Sequence, residues 1–316
     1  MSEVVTFGET MALFSPRAPG AVRPGGDWRI GIGGAESNVA IGLARLGTSV
    51  TWIGRVGDDA LGGLVTREIR AEGVDAVGVV DAVAPTGLMI KERPGRGRSR
   101  VRYYRAASAG SRLSPADVPD DVARSARLVH VTGITPALSE SAAETARHAL
   151  RIAREAGVTT SFDLNYRSAL WSRDAAAAAF RGILPLVDIV FAGDDEAAIV
   201  VGEGEPEQLA ERLAQLGPRA AVIKLGEHGA FARVDGQELR QAAFPVDVVD
   251  TVGAGDAFVA GFLSEHLLGG SPAAALRVGA LAGAFACESP GDWEGLPTRG
   301  DLDEDGSTSS ADPVQR

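Results

Sequence analysis

The sequence predicts an α/β fold: a mainly parallel central sheet covered by helices on both faces, with a small β-sheet standing apart from it. Three observations predict this. Beyond Ser114-Pro115, short apolar runs alternate with helical patterns, the rhythm of parallel strands joined by crossover helices. Two β-prone regions, about 11–32 and 86–105, interrupt that rhythm and are expected to form a sheet of their own. A chain of 316 residues that is 45% hydrophobic can bury one large core, and residues 1–300 read as a single domain.

The first strand is Val4 to Phe7, ending at Gly8-Glu9. From Met11 to Ile32 the pattern loosens into short β-prone pieces punctuated by Pro16, Pro19 and Pro24. Gly33-Gly34-Ala35-Glu36-Ser37-Asn38 then opens a helix to Leu46, with Val39, Leu43 and Leu46 on one face and Gly47 as its stop. Val50 to Ile53 is the next strand and Leu61 to Glu72 the next helix, closed by Gly73. Leu88-Met89-Ile90 and Val101-Arg102-Tyr103-Tyr104 are β-like and flank a hairpin connection, Arg93-Pro94-Gly95-Arg96-Gly97-Arg98. Arginines along this edge read as a solvated, aggregation-resistant strand.

Further strands follow at Leu128 to Val131, Thr159 to Asp163, Ile189 to Phe191 and Ala221 to Leu225. Helices separate them at Ser139 to Ala156, Asp174 to Arg181 and Pro206 to Leu216. Ligands of such sheets bind beyond the carboxyl ends of the strands. That rule picks out Glu9, Asn165-Tyr166-Arg167, Asp194-Asp195-Glu196 and Lys224 to Gly226. Residues 301–316 are acidic and then Ser-, Thr- and Pro-containing, without an apolar period, and are expected to be disordered.

Formal net charge is 31 − 42 = −11, which argues against a nucleic-acid or membrane surface but leaves room for an anionic ligand held by local arginines. Cys287 is the one cysteine and sits in an Ala-rich helical run, where a small buried residue is expected rather than a nucleophile. The four histidines show no metal-ligand spacing, so no metal ligands are assigned. The N-terminus carries no basic segment followed by an apolar core, and cytoplasm is the expected compartment. No Gly-x-x-x-x-Gly-Lys-Ser/Thr loop occurs, and Gly31-Ile32-Gly33-Gly34-Ala35-Glu36 fails the dinucleotide fingerprint at its last position.

The chain is organised around Asp250-Thr251-Val252-Gly253-Ala254-Gly255-Asp256-Ala257-Phe258, a tight turn opening a helix. Gly253 and Gly255 admit a ligand close to the backbone, and free N–H groups at a helix start suit a phosphate or a developing oxyanion. Asp256 in that cradle reads either as an N-terminal cap or as a base taking a proton from an attacking hydroxyl.

Gly33-Gly34-Ala35-Glu36-Ser37-Asn38-Val39-Ala40 and Asp250 to Asp256 resemble the two signatures of the ribokinase-like (PfkB-type) carbohydrate kinases, in the right order, and the resemblance covers residues 3–298. It implies a ribokinase-like fold with the small sheet as a lid, ATP and Mg2+ as cofactors, and Asp256 as the base. Gly253, Ala254 and Gly255 are implied as the anion hole. Within the family, Gly33 to Glu36, Arg102-Tyr103-Tyr104-Arg105, Gly133 to Ser139, Asp163 to Arg167 and Gly291-Asp292-Trp293-Glu294-Gly295 resemble the 2-keto-3-deoxygluconate kinases. That likeness implies sugar-acid contacts from Gly34, Tyr103, Tyr104, Arg105, Arg167 and Asp292. It implies nucleotide contacts from Asn165, Tyr166, Arg167 and the loop Lys224-Leu225-Gly226-Glu227-His228-Gly229, which spacing alone reads equally as a hairpin start. Asp250 and Thr251 are candidates for a monovalent cation such as K+, as in several relatives.

Arginine holds carboxylates with a planar fork, which suits a sugar acid; the alternative for Arg105 is a surface salt bridge. Asp194, Asp195 and Glu196 read as a helix start more than as Mg2+ ligands. Met89 stands where the subgroup often has a tyrosine, which keeps a fructokinase- or ribokinase-type substrate open. A non-catalytic sugar-binding regulator is the alternative from another class. The open edges of the small sheet predict a homo-oligomer formed through it.

Overall fold

Side chains of the central strands alternate between two faces, and this alternation brings a helix layer to each side. In Ile189–Gly193, for example, Ile189 and Phe191 enter one core while Val190 and Ala192 enter the other. The same split separates Val4 from Val5 and Leu128 from Val129, as expected for strands buried on both faces. The structure is a computed structural model and describes residues 2–17, 25–95 and 98–307.

In chain order the elements are β1 (Val4–Phe7), β2 (Met11–Pro16), β3 (Trp28–Gly33), α1 (Ala35–Arg45), β4 (Val50–Gly57), α2 (Ala60–Ala71), β5 (Asp75–Asp81), β6 (Leu88–Gly95) and β7 (Arg98–Tyr104). Then come α3 (Asp120–Ser125), β8 (Leu128–Thr132), α4 (Ile134–Leu138), α5 (Glu140–Glu155), β9 (Thr159–Asp163), α6 (Arg173–Ile183), β10 (Ile189–Gly193), α7 (Asp194–Val201) and α8 (Pro206–Ala214). The chain closes with β11 (Ala220–Lys224), β12 (Ala230–Val234), β13 (Gln237–Gln241), α9 (Ala254–Leu267), α10 (Pro272–Cys287) and α11 (Arg299–Ser307).

Nine strands form the central sheet in the order β13-β12-β11-β10-β9-β8-β1-β4-β5. It is parallel from β5 to β11, and the β12–β13 hairpin continues it antiparallel. Helices α1, α2, α9 and α10 pack on one face and α3, α5, α6, α7 and α8 on the other. Strand order reverses at β1, which pairs with β4 on one side and β8 on the other. A crevice at such a reversal, outside the carboxyl ends, is where ligands bind in open α/β sheets. Glu9 follows β1 there.

The two β-prone regions form a separate four-stranded sheet, β3-β2-β6-β7. Met11, Leu13 and Met89 give it a small core of its own, with Val101 packed against them. No helix among the described residues is long and apolar enough to cross a membrane.

One expectation is corrected. The chain stays ordered beyond position 301: α11 runs through Ser307. Thr298 and Asp301 bond reciprocally at its start, and Leu302 packs with Leu46 and Leu281, an apolar anchor that the acidic composition hides. Residues 308–316 lie outside the described residues.

Candidate active site

The turn before α9 is built from backbone outward. The Val249 and Asp250 N–H groups both bond the Cys287 carbonyl, tying the turn to the end of α10. Gly253 is the residue at the helix cap, with φ 81°; a Cβ there would also overlap the carbonyl oxygen of Asp292. Both facts require glycine. Gly255 lies in the first turn, where a Cβ would meet only the Lys224 amine, at 3.5 Å. Among the described residues the N–H groups of Gly255 and Asp256 bond to nothing, as expected for a helix start.

Asp256 does not cap this helix, which overturns the first of its two readings. No side chain caps α9. The Asp256 carboxylate instead accepts from Asn38 Nδ2 at 2.8 Å and from Asn165 Nδ2 at 3.4 Å. It is 8% exposed, and burial pushes its pKa up, against the opposing pull of the Asn38 bond and the Arg167 and Lys224 charges. Asn165 takes a left-handed φ of 35° just past β9.

Lys224 ends β11 and bonds both oxygens of Asp163, at 2.9 and 2.7 Å. Burial drives the pKa of Asp163 and of neighbouring Glu196 upward. For Lys224, burial works downward, but Asp163 and Glu196 outweigh it and hold the ammonium above its ordinary value. Glu196 accepts the Gly193 N–H at 2.7 Å and the Tyr166 N–H at 2.8 Å. It thus starts α7, as expected of this acidic run, and fixes the loop that carries Asn165 and Arg167. Leu225 to Gly229 form the turn of the β11–β12 hairpin, with Glu227 and His228 exposed. None of Lys224 to Gly229 lines the main cleft.

That cleft holds about 700 Å³ between the small sheet and the carboxyl ends of the central strands. Gly34, Tyr103, Arg105, Tyr166, Arg167, Gly253, Asp256 and Asp292 all line it, as do Glu9, Asn38 and Met89. Tyr104 does not, because the strand period of two turns it to the other face from Tyr103 and leaves it 57% exposed. Arg105 is no surface pair: its Nε lies 2.6 Å from Oε2 of buried Glu9, whose other oxygen accepts the Ser108 hydroxyl. Arg167 is exposed, and its guanidinium makes no hydrogen bond or ion pair among the described residues. Burial raises the Asp292 carboxyl to about 7, with Lys91 pulling the other way.

Residues 1–299 match the family described as pfkB family carbohydrate kinase. The chain belongs to the pfkB family of carbohydrate kinases. It is 40% identical to a 2-dehydro-3-deoxygluconokinase of Bacillus subtilis (strain 168), over 94% of this chain and 93% of that one. A 2-dehydro-3-deoxygalactonokinase of Haloferax volcanii is 39% identical over 92% of each chain. Among solved structures, a PfkB protein from Polaromonas sp. JS666 superposes with a TM-score of 0.87 at 37% identity, covering 96% of this chain and 99% of that one.

For a pfkB kinase, one site feature escaped the sequence reading altogether. Lys91 of β6 is 1% exposed and its amine lies 2.5 Å from Asp250 Oδ2, at the root of the glycine turn. A compositional signal marks it. Of 31 Lys and Arg residues only Lys91 and Lys224 are lysine; the first is buried, the second half-buried, and each is paired with a carboxylate. Cys287 ends α10, and burial pushes its thiol pKa up, away from what a nucleophile needs.

Proposed function

We propose that this pfkB kinase transfers the γ-phosphoryl group of ATP, bound as its magnesium complex, to the terminal hydroxyl of 2-keto-3-deoxygluconate. The products are 2-keto-3-deoxy-6-phosphogluconate and ADP. The observation that carries the reading is the convergence of Gly253, buried Asp256 and the side chains of Arg105 and Arg167 on one cleft, at the start of α9 with its unbonded N–H groups. Asp256 accepts the hydroxyl proton and, held by Asn38 and Asn165, aims that oxygen at the phosphorus. The N–H groups of Gly255 and Asp256 and the α9 dipole stabilise the charge that develops on the transferred group. Arg105 and Asp292 hold the acid and hydroxyl end of the sugar, and Arg167 bridges towards the phosphates.

The Bacillus subtilis relative supports the gluconate form; the Haloferax volcanii relative acts on the galactonate form, which differs in the configuration of one hydroxyl. A coupled ADP-release assay over both keto-deoxy acids, fructose and ribose tests the reading. A preference for fructose or ribose would sink it. The neutral-sugar reading has one observation in its favour, since Glu9 already occupies Arg105 and offers a carboxylate to hydroxyls. Arg105→Ala separates the two: the Michaelis constant for the acid rises about 10- to 100-fold, whereas a neutral sugar is barely affected.

The exposed Ile30 and Tyr104 of the small sheet, 52% and 57% accessible, support pairing with a second copy through that sheet. Light scattering across a concentration series tests this, and a monomer throughout would remove it.

A further inference from the structure

Resemblance to the family implies a monovalent cation at Asp250 and Thr251, but the residues present do not fit one. One oxygen of the Asp250 carboxylate, Oδ2, already holds the Lys91 ammonium, at 2.5 Å. Its other oxygen accepts the Val252 N–H at 3.3 Å, within the turn that delivers Gly253 to the start of α9. A cation bound at Oδ2 would lie against a buried positive charge, where repulsion is weakly screened.

We infer that Lys91 is a positioning residue: from the small sheet it supplies the charge that a bound monovalent cation would give Asp250, so phosphoryl transfer by this chain needs no such cation.

Three observations converge on this. The first is chemical type. In a chain that uses arginine at all but two of its 31 basic positions, position 91 carries a compact ammonium rather than a planar fork, and an ammonium is the side chain closest to a bare monovalent ion. The second is burial. An ammonium that is 1% exposed costs several kcal/mol to desolvate unless it is paired, and here the pair is made with the carboxylate that organises the turn. The third is placement. Lys91 lies two residues from Met89 on the cleft-facing side of β6, so its charge travels with the small sheet. The backbone carbonyl of Asp292 packs on Gly253 and its carboxyl feels the Lys91 charge, so the ammonium serves both acidic flanks of the turn.

The role rests on the family's phosphoryl transfer and not on which sugar accepts it. Its test therefore uses whichever sugar or sugar acid the wild-type enzyme turns over fastest, so failure of the substrate reading leaves it intact. Turnover and melting temperature are measured with Na+, K+, NH4+ and tetramethylammonium exchanged at constant ionic strength. Wild-type enzyme is expected to be indifferent, within about twofold in kcat. Lys91→Ala is expected to lose about 10- to 100-fold in kcat. Added K+ or NH4+, entering the vacated space, should restore most of that loss saturably and raise the variant's melting temperature, as a ligand of the native state must. Lys91→Met fills the space and should stay impaired in every salt.

Strong activation of the wild type by K+ would overturn the inference. So would a Lys91→Ala variant that keeps its turnover, or one that folds and responds to no cation. Should the variants fail to fold, the wild-type arm decides alone.

Discussion

Replacing Asp256 with Asn removes the proposed proton acceptor and little else. The variant's amide oxygen keeps the 2.8 Å bond from Asn38. Its NH2 group faces the Asn165 amide and forfeits the 3.4 Å bond, a loss of about 0.5–1.5 kcal/mol. Against that stands the charge. Burial raises the carboxyl pKa in the folded protein, so the native state holds the proton more tightly than the unfolded chain does. The stability linked to Asp256 is then full at low pH and drains away as pH rises through the folded pKa. A neutral amide escapes that loss, and at pH 8 the variant's melting temperature should equal or exceed that of wild type. Turnover behaves oppositely. Removing a general base costs on the order of 10²–10⁴ in kcat, about 3–5 kcal/mol of transition-state stabilisation, with both Michaelis constants little changed. Coupled ADP release at saturating substrates, paired with thermal melts at pH 5 and pH 8, reads both quantities. In wild type the same carboxyl sets an acid limb in kcat/KM, rising with pH around a midpoint above the usual value of about 4. A folded Asp256→Asn enzyme within about tenfold of wild-type kcat would refute the assignment.

Two further predictions separate local geometry from chemistry. Gly253→Ala meets both a left-handed backbone and the Asp292 carbonyl, so it should lower stability by about 3 kcal/mol or more; Gly255→Ala, with its nearest neighbour at 3.5 Å, should melt like wild type yet bind ATP more weakly, and titration calorimetry of both distinguishes crowding by protein from crowding by ligand. Glu36 is fully buried; one oxygen accepts from the Thr132 and Thr135 hydroxyls, the other bonds to nothing, and burial raises its pKa from 4.5 to about 7. Its linked stability is therefore full below pH 4.5 and lost through pH 7, so Glu36→Gln should gain on wild type with rising pH, by about 3 kcal/mol at pH 8; melting curves that stay parallel from pH 4.5 to 8 would contradict this.

The central strands and α9 were legible because burial on both faces leaves continuous apolar runs and because a glycine turn announces a helix start. The edges were not. β5 and β13 border the sheet, and each carries charge where a buried strand would be apolar. The β12–β13 hairpin did leave a local mark that the reading passed over. Asp235 and Gly236 adopt φ of 48° and 83°, the left-handed pair that a two-residue hairpin wants and that an Asp-Gly dipeptide supplies. At the site, the two signatures predicted residues that do share one cleft, Gly34 and Gly253 with Asp256. In the Lys224 loop a lysine before glycines suggests a phosphate contact, and the structure places its amine on Asp163. Tyr104 was carried along with Tyr103 although alternate strand residues face opposite ways. Lys91 was invisible locally because its partner lies 159 positions away, and only the scarcity of lysine in the whole chain pointed to it.

The charges around the cleft divide the work between its two arginines. Lys224 serves Asp163, Lys91 serves Asp250, and Arg105 serves Glu9. Each of these pairs carries no net charge, so none attracts an anion over distance. Arg105 still presents donors of its fork beyond those facing Glu9, and Glu9 locks their direction. On the proposed reading its contribution to a bound acid is orientation, which discriminates among sugars. Arg167 is the opposite case, an exposed guanidinium in the cleft with no hydrogen bond or ion pair among the described residues. It brings net positive charge to a site that otherwise meets anions with backbone N–H groups and a helix dipole. On the proposed reading, attraction resides in Arg167 and selection in Arg105, and the Arg167 charge, which opposes the raised pKa of Asp256, ties the first of these to the proton that must leave.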